Sequence, residues 1–250
     1  MTKAVEIPVY LFTGFLEGGK TRFIRETLED KKFNAGEHTL LVLCEEGEEE
    51  YDLSHPLMKN VHILPIESEE ELTTAKLGEW QKIHRVDRVV IEYNGMWQLQ
   101  RLYEQMPQGW MIYQEVMLAD YNTFLSYNTN MRSLMVDKLT SCEMVLLNRA
   151  PVGADKMEIH KVVRGVSRRT EIGYDYVDGS FDYDEIEDPL PFDIEAPIIE
   201  IADADFAVWY RDLTEEMEKY QGKTVRFKGR VVTKPVSYTH LRAHETDSYL

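Results

Sequence analysis

Gly14, Gly18, Gly19, Lys20 and Thr21 fall within eight residues, in the spacing G-x-x-x-x-G-K-T. Each residue type supplies something that a chain of phosphoryl groups requires. Concentrated negative charge is best met by main-chain N–H groups converging at the start of a helix. That convergence needs close backbone approach, and a side chain at Gly14, Gly18 or Gly19 is expected to collide with the phosphates or forbid the turn. Lys20 then reaches the outer phosphates, and the Thr21 hydroxyl takes one position on Mg²⁺. Arg22 follows directly, placed either against the phosphates or toward solvent. This spacing is that of a P-loop.

A site that acts on a phosphate chain also needs carboxylates for Mg²⁺ or its waters, and a residue that senses the outermost phosphate. Glu92 ends the apolar run Arg88-Val89-Val90-Ile91, and Gly95 follows three residues later. Carboxylates at the carboxyl ends of strands sit where α/β sheets bind ligands. Glu45 and Asp52, after the run ending at Cys44, are the candidate Mg²⁺ ligands beside Thr21, and Asp120 ends another strand. For each of these, a solvated strand-end carboxylate is the competing reading.

The elements that must position these groups alternate between β-branched runs and helical patterns, the signature of an α/β fold with a mostly parallel sheet. Strands are expected at Ile7–Thr13, Thr39–Cys44, Val61–Pro65, Arg88–Glu92, Trp110–Leu118 and Met144–Leu147. Helices are expected at Lys20–Lys31, Glu69–His84, Trp97–Gln105, Tyr121–Leu139 and Ala154–Arg169. The first helix buries Phe23, Ile24 and Leu28 and leaves Glu26, Glu29 and Asp30 to water. A phosphate-binding domain over residues 1–172 is followed by an acidic, proline-containing connector over 173–197. Residues 198–235 then carry a small α+β unit: strand Ile198–Ile201, helix Asp205–Lys219 and strand Thr224–Val232. That unit reads as incomplete, since so short a module has little core of its own. Residues 236–250, with Ser237-Tyr238-Thr239-His240-Leu241-Arg242-Ala243-His244, resemble a translated sequencing adapter and read as non-native.

Composition narrows the class. The 250 residues carry a net charge of −17, which disfavours binding to nucleic acid. No apolar run is long enough to span a membrane, and the N-terminal residues have no apolar h-region, so a cytoplasmic location is expected. Two cysteines, Cys44 and Cys142, make neither a disulfide framework nor a CxxC metal site. There is no Ser-His-Asp pattern or GxSxG elbow to support nucleophilic hydrolysis.

Tyr10-Leu11-Phe12-Thr13 followed by the glycine-rich loop resembles the opening of the CobW-like GTPases, in the group with the hydrogenase and urease maturation GTPases (CobW/HypB/UreG). Cys44-Glu45-Glu46-Gly47 resembles that family's Asn-Glu-x-Gly segment, and Glu92-Tyr93-Asn94-Gly95 its Glu-x-x-Gly switch. Leu147-Asn148-Arg149 resembles the approach to its guanine-binding Asn-Lys-x-Asp motif. The resemblance covers residues 6–150 and implies a G domain that binds GTP with Mg²⁺ and hydrolyses it slowly. It further implies that the two states gate a partner, in metal homeostasis or transport, with a homodimer or a metal-enzyme or transporter partner completing the site. Carried over by position, Gly19 and Lys20 hold phosphate and Thr21 holds Mg²⁺. Glu92 with Gly95 form the γ-phosphate switch, and Asn148 contacts the base.

Two departures accompany it. The family's Cys-x-Cys-Cys metal motif falls where this chain reads His62-Ile63-Leu64-Pro65-Ile66-Glu67, without cysteine. Cys44 with His55 or His62 is a conceivable substitute, and a lone buried cysteine is the better reading. Asn148-Arg149-Ala150-Pro151 also lacks the aspartate that accepts from guanine. A nucleotide-gated adaptor without hydrolysis and an ATP-using protein therefore stand as alternatives. The unit around Tyr220–Val231 resembles a small β-rich domain that also occurs joined to a two-span permease subunit, a further pointer to transport.

Overall fold

The computed structural model describes residues 6–45, 47, 51–187 and 189–229. The end of the expected strand Thr224–Val232, the tail 236–250 and Glu46 and Glu48 to Glu50 lie outside the described residues. The chain divides into two compact units, one ending at Glu185 and the other beginning at Ile186.

The first unit is built on an eight-stranded sheet: β1 (Ile7–Thr13), β2 (Thr39–Leu43), β3 (Val61–Pro65), β4 (Arg88–Glu92), β5 (Trp110–Asp120), β6 (Met144–Ala150), β7 (Glu171–Tyr176) and β8 (Phe181–Tyr183). Their order across the sheet is β3-β2-β4-β1-β5-β6-β7-β8. The first seven run parallel, and β8 returns antiparallel to β7. β1 and β4 are neighbours, with Phe12 opposite Glu92, so the residues following these two strands emerge side by side.

Helices cover both faces. On one face α1 (Lys20–Leu28) packs Ile24 and Leu28 against Phe12, Val90, Val116 and Leu118. The other face holds α2 (Thr74–His84), α3 (Leu99–Gln105), α4 (Tyr121–Asn130), α5 (Arg132–Ser141) and α6 (Met157–Arg164). Period-2 alternation separates the layers: Leu11 lies with the α2 and α3 cluster, and the next residue, Phe12, with α1. Strands so covered are apolar on both faces, which is why β1, β2 and β4 read as nearly continuous apolar runs.

The strands expected from sequence are present, and β5 and β6 extend further, to Asp120 and Ala150. The pattern Tyr121–Leu139 is two helices, because Met131 leaves helical geometry at φ −131° and ψ 43°. Glu69–His84 is likewise interrupted: Glu69–Glu71 forms a 3₁₀ turn, and Thr73 then caps α2 by accepting from Lys76 N. β7 and β8 were not anticipated. They carry the sheet, β7 in parallel and β8 antiparallel, into the acidic segment whose composition suggests a connector.

The second unit pairs β9 (Ile199–Glu200) with β10 (Val225–Arg226) in parallel and adds α7 (Phe206–Glu215). Ile199, Ile201, Trp209 and Tyr220 form its small core. Asp212 is buried there, its two oxygens satisfied by Tyr220 Oη at 2.6 Å and Lys219 Nζ at 3.0 Å. No helix among the described residues is long and apolar enough to cross a membrane.

Candidate functional site

β1 ends at Thr13 and α1 begins at Lys20, so the glycine-rich segment is the turn that reverses the chain between strand and helix. Gly14 takes φ +123°, in the region that favours glycine. A Cβ on it would lie 1.9 Å from Leu118 O, and one on Gly18 2.8 Å from the same atom. At Gly19, φ +88°, a Cβ would meet Asn148 Nδ2 at 2.5 Å. The glycine spacing by itself points to clearance for phosphate or to the turn. The structure gives an additional cause: the loop is packed against the carboxyl ends of β5 and β6, and side chains would collide with the protein itself.

Lys20 is buried, and its ammonium donates to Gly14 O at 2.8 Å and Phe15 O at 2.9 Å and pairs with Glu45 at 2.5 Å. Folding its side chain back over the loop places a cation among converging main-chain groups. Thr21 Oγ1 donates to Glu92 Oε1 at 2.7 Å. The other Glu92 oxygen accepts from Tyr51 Oη at 2.6 Å. Glu92, Glu45, Lys20 and Thr21 thus converge at one end of the sheet, around a cavity of about 630 Å³ that Arg22, Asp120 and Arg149 also line.

Gly95 adjoins the same loop, since a Cβ there would lie 2.7 Å from Gly14 O and from Phe15 Cα. Asn148 is buried at the end of β6, with Nδ2 donating to Gly18 O and Oδ1 lacking a hydrogen-bond partner among the described residues. An orphaned buried acceptor beside the phosphate loop is a place for a ligand donor or a water. Arg149 and Glu17 are both left-handed, at φ +55° and +60°, and meet through the bond from the Arg149 guanidinium to Glu17 O. Such geometry costs about 1–2 kcal/mol per residue and persists where surrounding contacts enforce it. Here the contact is Asp120, which accepts from Arg149 Nε at 2.6 Å. Burial would raise the Asp120 carboxyl, yet the bonds from Arg149 and Asn122 hold it below the ordinary aspartate value.

Asp52 is placed elsewhere. It is exposed, its carboxylate accepts from Ser54 N at 2.9 Å and Ser54 Oγ at 2.6 Å, and it lines neither this cavity nor the adjoining one. The member of that segment that reaches the site is its neighbour, Tyr51. Arg22 lies at the cavity rim with its guanidinium paired to Glu26 at 2.9 Å. Cys44 is buried, and burial pushes its thiol well above the usual range. His62 stacks on His84 at 4.0 Å, and His55 accepts from Leu57 N. Among the described residues, no group of three or more His, Cys, Asp and Glu is arranged to hold a metal ion. Mg²⁺ has a different requirement. It takes hard oxygen ligands, usually one or two carboxylates, with phosphate and water completing the octahedron. The Thr21 hydroxyl and the Glu45 and Glu92 carboxylates are of that kind.

Burial raises the Glu92 carboxyl, and the bonds from Tyr51 and Thr21 oppose it without cancelling it. A folded-state pKa above the unfolded value means that Glu92 contributes most to stability below about pH 4.3, its unfolded value. That contribution is lost as pH rises through the folded value. Glu92→Gln does not titrate. The melting temperature of E92Q relative to wild type should therefore become more positive from pH 4.5 to pH 7.5, by roughly 2–4 °C per kcal/mol of the relieved cost. Paired melts across that range check it. A difference that shrinks with rising pH would refute the buried carboxylate.

Comparison with known proteins accords with this geometry. The sequence profile of the CobW/HypB/UreG nucleotide-binding domain matches residues 8–173. No curated protein matches the chain significantly. Among solved structures, a Zn(II)-bound triple mutant of the YjiA GTPase is 20% identical, at a TM-score of 0.51 over 71% of this chain and 59% of that one. Zn(II)-bound YjiA from E. coli is 20% identical over 67% of this chain and 57% of its own, with a TM-score of 0.49. The hydrogenase maturation factor HypB from Archaeoglobus fulgidus is 13% identical over 69% and 82%, with a TM-score of 0.46. The chain spans less than three fifths of the YjiA chains, and at these identities the first of the three speaks to the fold alone. The profile match runs through β1, the glycine loop, Glu92 and Asn148, and by it the chain belongs to the CobW/HypB/UreG family, through that family's nucleotide-binding domain.

Proposed function

We propose that this protein binds GTP with Mg²⁺, hydrolyses it slowly, and uses the bound state to gate a partner in metal homeostasis or transport. The observation that carries the reading is the convergence of Lys20, Thr21 and Glu92 on one cavity beneath the glycine loop. In this reading the loop amides and Lys20 bind the phosphates, Glu92 orients Thr21, and Gly95 lies where it meets the outermost phosphate. Thr21, with Glu45 and Glu92, would hold Mg²⁺, which when bound neutralises charge on the β- and γ-phosphates. Glu45 already occupies Lys20, so a phosphate entering the loop competes with that carboxylate for the same ammonium.

Slow turnover is the expectation because the cavity's other cations are committed. Arg149 is held by Asp120 and the Glu17 carbonyl, and Arg22 pairs with Glu26. Neither is placed as an arginine finger, so a second copy or a partner is the expected source of acceleration. Unstimulated release of phosphate on the order of 10⁻⁴–10⁻² s⁻¹ follows for such a site.

Base choice rests on Asn148 alone of the usual motif, since Arg149-Ala150-Pro151 offers no side-chain carboxylate. Calorimetry with GTP and with ATP, each with Mg²⁺, followed by a phosphate-release assay, tests the reading. Tighter binding of GTP with slow release is the expected result. A preference for ATP would redirect the site to adenine nucleotides, binding without release would make the protein an adaptor, and binding of neither would refute the proposal.

A further inference from the structure

Lys138 is fully buried in α5, three residues beyond Met135 and beside Leu139, both of which are core. An ammonium in that position is costly unless its donors are satisfied, and an apolar side chain of the same length would pack there at less cost. Its partners show what it does. Nζ donates to Trp97 O at 2.9 Å and contacts Asp137 Oδ2 at 3.3 Å. Asp137 Oδ2 in turn accepts from Leu99 N at 3.0 Å. Two consecutive side chains of α5 thereby fix the main chain at Trp97 and Leu99, just beyond Gly95.

The same segment is tied at its other end. Tyr93 N donates to Phe12 O at 2.9 Å, and Asn94 Nδ2 donates to Cys44 O at 3.1 Å. Tyr93 Oη reaches forward to Gln98 O at 2.8 Å, bracing the span from within. Gly95 lies between these ties, its Cα packed so closely on Gly14 and Phe15 that no Cβ fits. Lys138 does not line the cavity. Its connection to the cavity is through the main chain it holds at residues 97–99.

We propose that Lys138 and Asp137 are positioning residues that hold the Gly95 segment at the height from which it distinguishes a nucleoside triphosphate from a diphosphate. The inference rests on the GTP-binding reading above and assigns a determinant of discrimination within that site. Glu115 provides an internal contrast. It is buried in the adjacent polar cluster, accepting from Tyr103 Oη at 2.9 Å and Ser141 Oγ at 2.8 Å, with neither bond reaching the Gly95 segment. A generic loss of packing in this cluster and a specific loss of the tie to Trp97 can therefore be separated.

The quantity to measure is the ratio of the Kd for GDP to that for a non-hydrolysable GTP analogue, with Mg²⁺, in wild type, Lys138→Met and Tyr103→Phe. In K138M the ratio should fall about tenfold, the size of one charge-assisted hydrogen bond, with GDP affinity within twofold of wild type. Y103F should lower the melting temperature and leave the ratio unchanged. Should K138M not fold, Asp137→Asn carries the same test. It keeps an acceptor for Leu99 N and removes the charge opposite Lys138, and the ratio should fall about threefold. A K138M or D137N protein that is folded and keeps the wild-type ratio overturns the inference alone. A wild type that binds neither guanine nucleotide overturns the functional reading and this inference with it.

Discussion

Lys20→Ala is expected to weaken binding of Mg²⁺-GTP by about 100- to 1,000-fold. The ammonium is the only cation buried beneath the loop among the residues lining the cavity, and its other neighbours are the Gly14 and Phe15 carbonyls. A charge-assisted hydrogen bond contributes about 1.5–3 kcal/mol, and a lysine spanning two phosphates makes two of them. Two such bonds come to about 3–6 kcal/mol, and the Lys20–Glu45 pair that phosphate must displace offsets part of this. With every 1.4 kcal/mol worth a factor of ten, a net loss of about 3–4 kcal/mol gives the stated range. One further effect adds to it. Removing Lys20 also releases Glu45, which is 11% exposed in that pair, and its charge then faces the incoming phosphates. Repulsion adds to the loss and carries it toward the upper end of the range. Lys20→Met separates charge from volume and should behave alike. Calorimetry beside a thermal melt reads both variants, and a folded K20M that binds within threefold of wild type would mean that phosphate is held elsewhere.

Much of this site is legible in the sequence because its chemistry depends on residue type at fixed spacing. Gly14 to Thr21 identify themselves, and Glu92 announces itself by ending an apolar strand, where a parallel sheet presents its carboxyl edge. What distance in the sequence conceals is which carboxylate turns inward. Asp52 and Tyr51 are adjacent, and only the fold shows Tyr51 reaching Glu92 while Asp52 closes a turn on Ser54. Lys138 is a second residue whose role only the fold shows. Its signal was present, since it shares the stripe of Met135 and Leu139 at i+3 and i+4, where a charge calls for an explanation.

The fold shows the same division. β1, β2 and β4 are legible because strands covered on both faces are apolar nearly throughout, and β5 because its carboxyl half, Val116 to Ala119, is a buried apolar run. β7 is not, because Glu171-Ile172-Gly173-Tyr174-Asp175-Tyr176 alternates, with acidic residues that resemble the connector beyond. Ile172 and Tyr174 are buried, so a period-2 signal existed beneath the composition. The break at Met131 left no comparable trace. Nothing in Asn130-Met131-Arg132 forbids a helix, yet Met131 leaves helical geometry and divides α4 from α5.

The glycines allow one substitution to be tested with opposite expected signs. Gly14→Ala should destabilise the protein by about 4 kcal/mol or more, because two mechanisms act together. At φ +123° an alanine is strained wherever it sits, and here its Cβ would lie 1.9 Å from Leu118 O. Leu118 cannot withdraw, being buried in β5 and held between β1 and β6. The loop must move instead, which misdirects its amides, so nucleotide affinity should fall with stability. For a domain of this size a melting temperature lower by roughly 10 °C is expected. Gly78→Ala makes the same chemical change inside α2, where a Cβ meets nothing within 4 Å. There it removes glycine's entropic cost and should stabilise by about 0.5–1 kcal/mol, raising the melting temperature by roughly 2 °C. Parallel thermal melts of the two variants decide the matter. If G14A melts within 2 °C of wild type, the glycine loop is not seated on the end of β5, and the backbone cradle for phosphate does not rest on that contact.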